Sequence, residues 1–278
     1  MLSISIGPFA VAISMLITIV AIAVFWIMTH WLSRKSEESA KIKDGFISAI
    51  IIGFIAARVT FVVRLWSEYQ ENMWQILNLR DGGFIPYYGW MIGILVLIAL
   101  SRGNRAFTRV YLIASVAAFC VVVPMYYTAS YYSGGITIPD IPVRDSAGES
   151  INLQTFQGKP LVINYWATWC PPCRKEMPVL EAAQKQHSSV TFLFVNQGED
   201  PMTAKKFFTS QDLDIKNVFY DPASQLSRAS GAAGLPTTLF FDATGKLVDS
   251  HMGELSNASL AHYLQLLNKN DNPQKAIP

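Results

Sequence analysis

Long apolar runs dominate the chain from Leu2 to Tyr132, and from Ile136 onward short apolar segments alternate with charged and turn residues. The long runs fall at residues 4–32, 46–66, 84–100 and 107–130. A helix needs about 20 apolar residues to cross the hydrocarbon core of a bilayer. The pattern therefore predicts about four transmembrane helices, the third being the shortest, with a start interrupted by Pro86 and Gly89. The first run has no basic residue ahead of it and exceeds the length of a leader, so it reads as a retained helix.

The second half predicts strands at 151–153, 160–165 and 190–195, with helices at 171–186 and 204–210. Strands at 237–241 and 247–251 flank Asp242-Ala-Thr-Gly-Lys246, a hairpin signal, and a closing helix opens at Ser256 and runs over 255–267. Such an order predicts a mixed sheet covered by helices. The expected organisation is a helical membrane domain over 1–132, a Gly/Pro-containing linker at 133–140, an α/β domain over 141–270 and a frayed polar tail at 271–278, with fraying from Asn268. No internal repeat is visible.

Charge adds an orientation. Arg34, Lys35, Lys41 and Lys43 lie in the first loop between runs, and Arg102, Arg105 and Arg109 in the third. The second has only Arg80 against Glu68, Glu71 and Asp81. Short loops rich in Lys and Arg stay in the cytoplasm, which puts the N-terminus and everything after Tyr132 on the outer side. Trp26, Trp31, Trp66, Tyr69, Tyr126, Tyr127, Tyr131 and Tyr132 stand at the run ends, where interfacial aromatics belong. A net charge of +2 with no basic stripe in the second half argues against a nucleic-acid partner.

Arg58 lies deep in the second run, where a charge is costly and marks either a function or an arginine reaching headgroups or a neighbouring helix. With its neighbours Ala57 to Val62, the stretch Asp81-Gly82-Gly83 and Gly89, it resembles part of prolipoprotein diacylglyceryl transferase over roughly residues 45–100. The histidine of that family would fall near Tyr87, and this chain has no histidine between His30 and His187. The resemblance thus implies a shared helical scaffold, with membrane lipid contacted through Arg58, and no transferase activity.

Three cysteines exclude a disulfide-stapled mini-domain and a four-cysteine zinc site. Cys120 lies in an apolar run and reads as a small apolar residue. Cys170-Pro171-Pro172-Cys173 falls where a buried strand hands over to a helix. The free N–H groups and positive dipole end of a helix N-terminus favour thiolate over thiol. Two intervening residues bring the second sulfur within bonding reach of the first. A redox dithiol outweighs a purely structural disulfide in that setting. His187 and His251 lack a ligand pattern around them.

The stretch from Asn164 to Pro178, containing Trp169-Cys170-Pro171-Pro172-Cys173, together with Gly234-Leu235-Pro236-Thr237-Thr238, resembles the TlpA/ResA/DsbE branch of the thioredoxin superfamily over about residues 137–270. The resemblance implies a thioredoxin-like fold, an outward-facing location on a bacterial inner membrane and reduction of disulfides in exported proteins, apocytochromes c among them. It makes Cys170 the attacking thiolate, Cys173 the resolving thiol, Pro236 a cis-proline beside the dithiol and Glu176 the acid that tunes the pair or moves its proton. Trp169, Pro172 and Leu235 become elements of a substrate groove. Asn164 stands where ordinary thioredoxins carry a buried aspartate, which leaves proton transfer to Glu176 or water. No cofactor beyond the Cys170–Cys173 disulfide is expected.

Relay of electrons through the membrane helices needs a second cysteine pair, and Cys120 is alone there. A separate membrane dithiol donor is therefore expected, unless chains associate and pool their Cys120 thiols. The same motif also serves oxidants and isomerases, because direction is set by reduction potential. A redox-sensitive membrane adaptor is the alternative from another class. The thiol peroxidase pattern would need proline at Ile163 and Thr or Ser at Ala167, and neither is present.

Overall fold

A computed structural model describes residues 3–6, 9–70, 72–133 and 135–271. Glu71 of the second loop and residues 272–278 of the expected tail lie outside the described residues. The chain divides into two units, one of Ser14–Glu71 and Gly83–Ala129, the other of Met1–Ile13, Asn72–Gly82 and Ser130–Pro278.

The helical unit is built from α1 (Ile13–Ser33), α2 (Ser39–Arg64), the single turn α3 (Trp66–Tyr69), α4 (Pro86–Ser101) and α5 (Arg105–Ser133), which runs on past the unit's end. Three of these, α1, α2 and α5, are long and apolar enough to cross a membrane. The third apolar run forms α4, an apolar helix of 16 residues, shorter than the other three. Lys41 and Lys43 ride on the first turns of α2, and Arg105 and Arg109 on α5, so the first and third loops are shorter than the sequence suggests. Asn104 Nδ2 donates to Glu38 Oε2 at 2.6 Å, which puts those two loops at the same end of the bundle.

Helices α2 and α4 touch through backbone. A Cβ on Gly53 would lie 2.7 Å from Gly89 O, and one on Gly89 would lie 2.8 Å from Gly53 O and 3.0 Å from Ala57 Cβ. Small residues let membrane helices approach this closely where no hydrophobic effect drives them together. Beside this seam Phe25, Phe46, Leu97, Phe107 and Tyr111 form a buried cluster, and the Tyr111 hydroxyl donates to Ile42 O at 2.7 Å. Replacing Gly53 with leucine overpacks the seam and is expected to cost about 1–3 kcal/mol or more. Thermal unfolding of the full chain in detergent, followed by helical circular dichroism, checks this; an unchanged midpoint contradicts it.

Arg58 is 6% exposed. Its Nη1 donates to Gly83 O at 2.8 Å, and its guanidinium lies 5.6–5.9 Å from the ring centres of Phe61, Tyr69 and Phe84. The expected lipid contact through Arg58 is therefore corrected: the charge is enclosed by protein, as cation–π contacts and a carbonyl acceptor make possible at that depth.

In the other unit the first apolar run opens as a hairpin rather than a helix: β1 (Ser3–Ile6) pairs antiparallel with β2 (Phe9–Ala12). Ser3 Oγ donates to Gly231 O at 2.8 Å and accepts from Ala233 N–H at 2.9 Å. The rest is a seven-stranded sheet in the order β4-β3-β7-β6-β5-β8-β9. Its strands are β3 (Pro142–Arg144), β4 (Ser150–Asn152), β5 (Leu161–Trp166), β6 (Thr191–Gln197), β7 (Val218–Asp221), β8 (Thr237–Phe241) and β9 (Leu247–Met252). β5, β6 and β7 are parallel, and the remaining pairings are antiparallel.

Burial on both faces explains why the central strands read as continuous apolar runs. Val162 and Trp166 of β5 face a cluster shared with α6 (Pro171–Gln186), α7 (Pro201–Ser210) and α9 (Asn257–Asp271), through Met177, Leu180, Ala204, Leu260 and Leu264. Leu161, Ile163 and Tyr165 face the opposite cluster, with Leu153 and with Leu226 of α8 (Gln225–Ala229). The connector expected at 133–140 is partly built into this unit. Ile138 is buried in the second cluster, and its N–H donates to Gly245 O at 3.2 Å. Helix α9 continues through Asn268 to Asp271, where fraying was expected. Strands β3 and β7 and helix α8 carry too few residues to register as sequence periodicity.

Candidate active site

Strand β5 ends at Trp166, and four residues later Cys170 caps α6. Pro171 and Pro172 occupy the first helical positions, where a missing N–H costs nothing and the fixed φ suits the helix. Cys173 N–H is thus the first backbone donor of the helix, and it points at Cys170 Sγ at 3.3 Å. A donor and a helix N-terminus aimed at one sulfur stabilise its thiolate. The two cysteines are joined in a disulfide, with Cα atoms 5.3 Å apart, and both are buried. Next to Cys170, Trp169 is 67% exposed, while Pro172 is half-buried.

The loop from β5 to Cys170 is held by a residue that the sequence reading did not single out. Glu199 accepts from Thr168 N–H at 2.8 Å, from the Thr168 hydroxyl and from Asn196 Nδ2 at 2.7 Å. Its signal was the polar run Asn196-Gln197-Gly198-Glu199 at the carboxyl end of a parallel strand beside β5, where sites in α/β sheets gather.

One turn beyond Cys173 on α6, Glu176 is fully buried. Its Oε1 accepts from Asn164 Nδ2 at 2.8 Å and its Oε2 from Leu255 N–H at 2.9 Å. Asn164 Nδ2 also donates to Thr238 Oγ1 at 2.9 Å, so β5, α6, β8 and the β9–α9 corner meet at this carboxyl. Burial pushes the Glu176 pKa up to about 8, assisted by the charge of Glu254 and opposed by the two donors. The sequence's flag on Asn164 finds its physical content here: the amide presents a donor to the carboxyl.

The Leu235–Pro236 peptide bond is cis. Thr237 pairs with Tyr165, so Pro236 stands at the end of the sheet from which the Cys170 loop departs. Pro236 is buried, its carbonyl accepts from Gly253 N–H at 3.0 Å, and Leu235 packs half-buried against both core clusters. α6 and the β5–β8 pairing bring Cys170, Cys173, Glu176 and Pro236 to one end of the sheet. His251 is buried at the β9–α9 corner, with Nδ1 3.3 Å from the Tyr263 hydroxyl and Nε2 3.3 Å from Glu254 O. Cys120 is exposed on its helix, and no group of three metal-binding side chains occurs among the described residues.

A helix-capping Cys-Pro-Pro-Cys disulfide at the carboxyl end of a central parallel strand, on a sheet of this order, defines a thiol–disulfide oxidoreductase of thioredoxin-like fold. Residues 134–267 match the family described as Redoxin, and residues 1–128 match the family described as prolipoprotein diacylglyceryl transferase, well beyond the 45–100 that the motifs mark. The chain is 31% identical over 133 residues to the thiol-disulfide oxidoreductase ResA of Bacillus thuringiensis subsp. konkukian, covering 47% of this chain and 76% of that protein. It is 32% identical to ResA of Geobacillus thermodenitrificans, with the same coverage. A solved thiol:disulfide interchange protein of Chlorobium tepidum TLS is 27% identical, with a TM-score of 0.42 over 47% of this chain and 94% of that one. The chain belongs to the ResA-type thiol-disulfide oxidoreductases.

Proposed function

We propose that this protein reduces disulfides of exported proteins on the outer side of a bacterial cytoplasmic membrane, apocytochromes c being the candidate substrates. The observation that carries the reading is the unequal setting of the two sulfurs. Cys170 has a backbone donor and a helix end to hold a thiolate. Cys173 is fully buried and one turn from the buried carboxyl of Glu176, which disfavours charge on it. That asymmetry assigns attack to Cys170 and resolution to Cys173; the direction, which the reduction potential sets, is taken from the likeness to the ResA relatives.

In the forward step the Cys170 thiolate attacks one sulfur of the substrate disulfide. The new bond is Cys170–substrate, and the other substrate sulfur leaves as a thiolate that takes a proton. Cys173 then loses its proton to Glu176 in its ionised form, or to water, and attacks Cys170 Sγ. The second substrate sulfur leaves, two electrons have passed to the substrate, and the enzyme is left with its Cys170–Cys173 disulfide. Pro236 aligns the substrate chain beside the dithiol, with Trp169, Pro172 and Leu235 bordering it. A separate membrane protein carrying a dithiol resets the enzyme, since Cys120 alone cannot relay an electron pair.

The apolar helices anchor the protein in lipid, with α4 as a fourth, shorter span. The basic ends of α2 and α5 face the cytoplasm, and the redox unit faces outward. The pairing of the first and third loops through Asn104 and Glu38 is in keeping with that topology. Equilibration of the full chain with glutathione or dithiothreitol buffers tests the direction. A reduction potential near thioredoxin's, about −270 mV, is expected; one near about −120 mV makes the protein an oxidant.

A further inference from the structure

Residues Asn72–Gly82 lie in sequence between α3 and α4, yet they belong to the redox unit. Asp81 is fully buried there, and its Oδ2 accepts from Ser256 Oγ at 3.0 Å. Ser256 opens α9: its N–H donates to Ser259 Oγ at 2.8 Å, and its Oγ accepts from Ser259 N–H at 3.2 Å. Gly82 has a φ of 63°, and a Cβ there would come within 2.8 Å of His251 Cε1. A Cβ on Gly253 would lie 3.7 Å from Arg80 O. Arg80, Asp81 and Gly82 therefore bear on the corner between β9 and α9 at three points.

That corner also supplies Leu255 N–H, one of the two donors on Glu176, and Leu255 is the residue next to Ser256. We propose that the Arg80–Gly82 segment is a positioning element of the redox site: Asp81 holds Ser256, and through it aims Leu255 N–H at Glu176. This rests on the role given to Glu176 above. The sequence makes the consequence unusual for a redox domain, because a loop between two apolar helices then helps set the protonation of the buried acid beside Cys173.

The groups around this acid bound the effect. On its own helix stand Cys173 and Lys175, the latter 3.9 Å from Glu254 on the corner; β5 and β8 contribute Asn164 and Thr238. His251, Tyr263, Asp81 and Arg80 stand at the corner itself, with Asp249 of β9 and His262 of α9 against Tyr263. A backbone donor favours the ionised carboxyl. Loosening the corner should therefore raise the pH at which Glu176 ionises. Removing only the negative charge of Asp81 should not raise it.

The test uses the reduced full-length Cys120→Ala protein in detergent, with the rate of Cys170 alkylation by iodoacetamide measured against pH. Asp81→Ala is expected to move the Glu176-dependent inflection upward by at least about 0.5 pH unit. Asp81→Asn, which keeps an acceptor for Ser256, is expected to leave the inflection in place or lower it. Gly82→Ala, which pushes against His251, provides a second route to the upward shift should Asp81→Ala fail to fold. In a Glu176→Gln background neither variant should shift the profile. An unmoved inflection in both Asp81→Ala and Gly82→Ala, an Asn variant that rises as far as the Ala variant, or a shift that survives in Glu176→Gln overturns the proposal. A profile unchanged by Glu176→Gln alone removes the role of Glu176, and this proposal with it.

Discussion

Cys170→Ala is expected to bring disulfide reduction by the full chain, measured with insulin and dithiothreitol, down to the rate of dithiothreitol alone. Cys170 is the sulfur that receives the Cys173 N–H at the start of α6, and exchange proceeds only from a thiolate. Cys173 is fully buried, and in this assignment it attacks only after the mixed disulfide on Cys170 has formed. Cys120→Ala should leave the rate unchanged, since Cys120 lies on α5 and the described residues hold a single disulfide, between Cys170 and Cys173. A Cys170→Ala protein that keeps appreciable turnover, or a loss on Cys120→Ala, contradicts the assignment.

Glu176→Gln is expected to change how stability depends on pH. The carboxyl titrates near 4.3 in an unfolded chain and at about 8 in the folded protein. Between these values the folded state binds the extra proton, so stability is greatest below the unfolded value and falls as pH rises toward 8. The slope from one such group is at most about 1.4 kcal/mol per pH unit. Glutamine fits the same space without titrating, and its amide nitrogen meets Leu255 N–H or Asn164 Nδ2 less well than an oxygen does. The variant should therefore lose some stability near pH 5 and show a flatter profile from pH 5 to 8. Thermal midpoints of the oxidised protein across that range decide the matter; a parental slope in the variant contradicts a buried, neutral Glu176.

The redox half was legible because its signals are local. A buried strand, a turn and a helix opening on Cys-Pro-Pro-Cys occupy consecutive residues, and the hairpin around Asp242–Lys246 announces itself by its turn. Glu199 escaped notice because it acts across the sheet, 31 residues from Thr168, and a carboxylate after a strand is ordinary in isolation. Strand β7 was missed because four residues cannot establish an alternation, although both of its neighbours in the sheet pair with it. The first apolar run looked like helix throughout because a two-stranded hairpin of apolar residues has the same composition. Arg58 was recognised as exceptional, but its surroundings come from Phe61 one turn along α2 and from Tyr69, Gly83 and Phe84 beyond its end. Periodicity reports which face of an element is buried; it is silent on which distant residues meet there.

The central claim is that Cys170 makes the covalent intermediate and Cys173 resolves it. The most direct measurement is mass mapping of the adduct formed when reduced Cys173→Ala protein meets a disulfide-containing protein. The account predicts a stable mixed disulfide at Cys170, in one-to-one amount and released by dithiothreitol. An adduct at Cys120 instead, or none at all while the parent protein turns over, would contradict it.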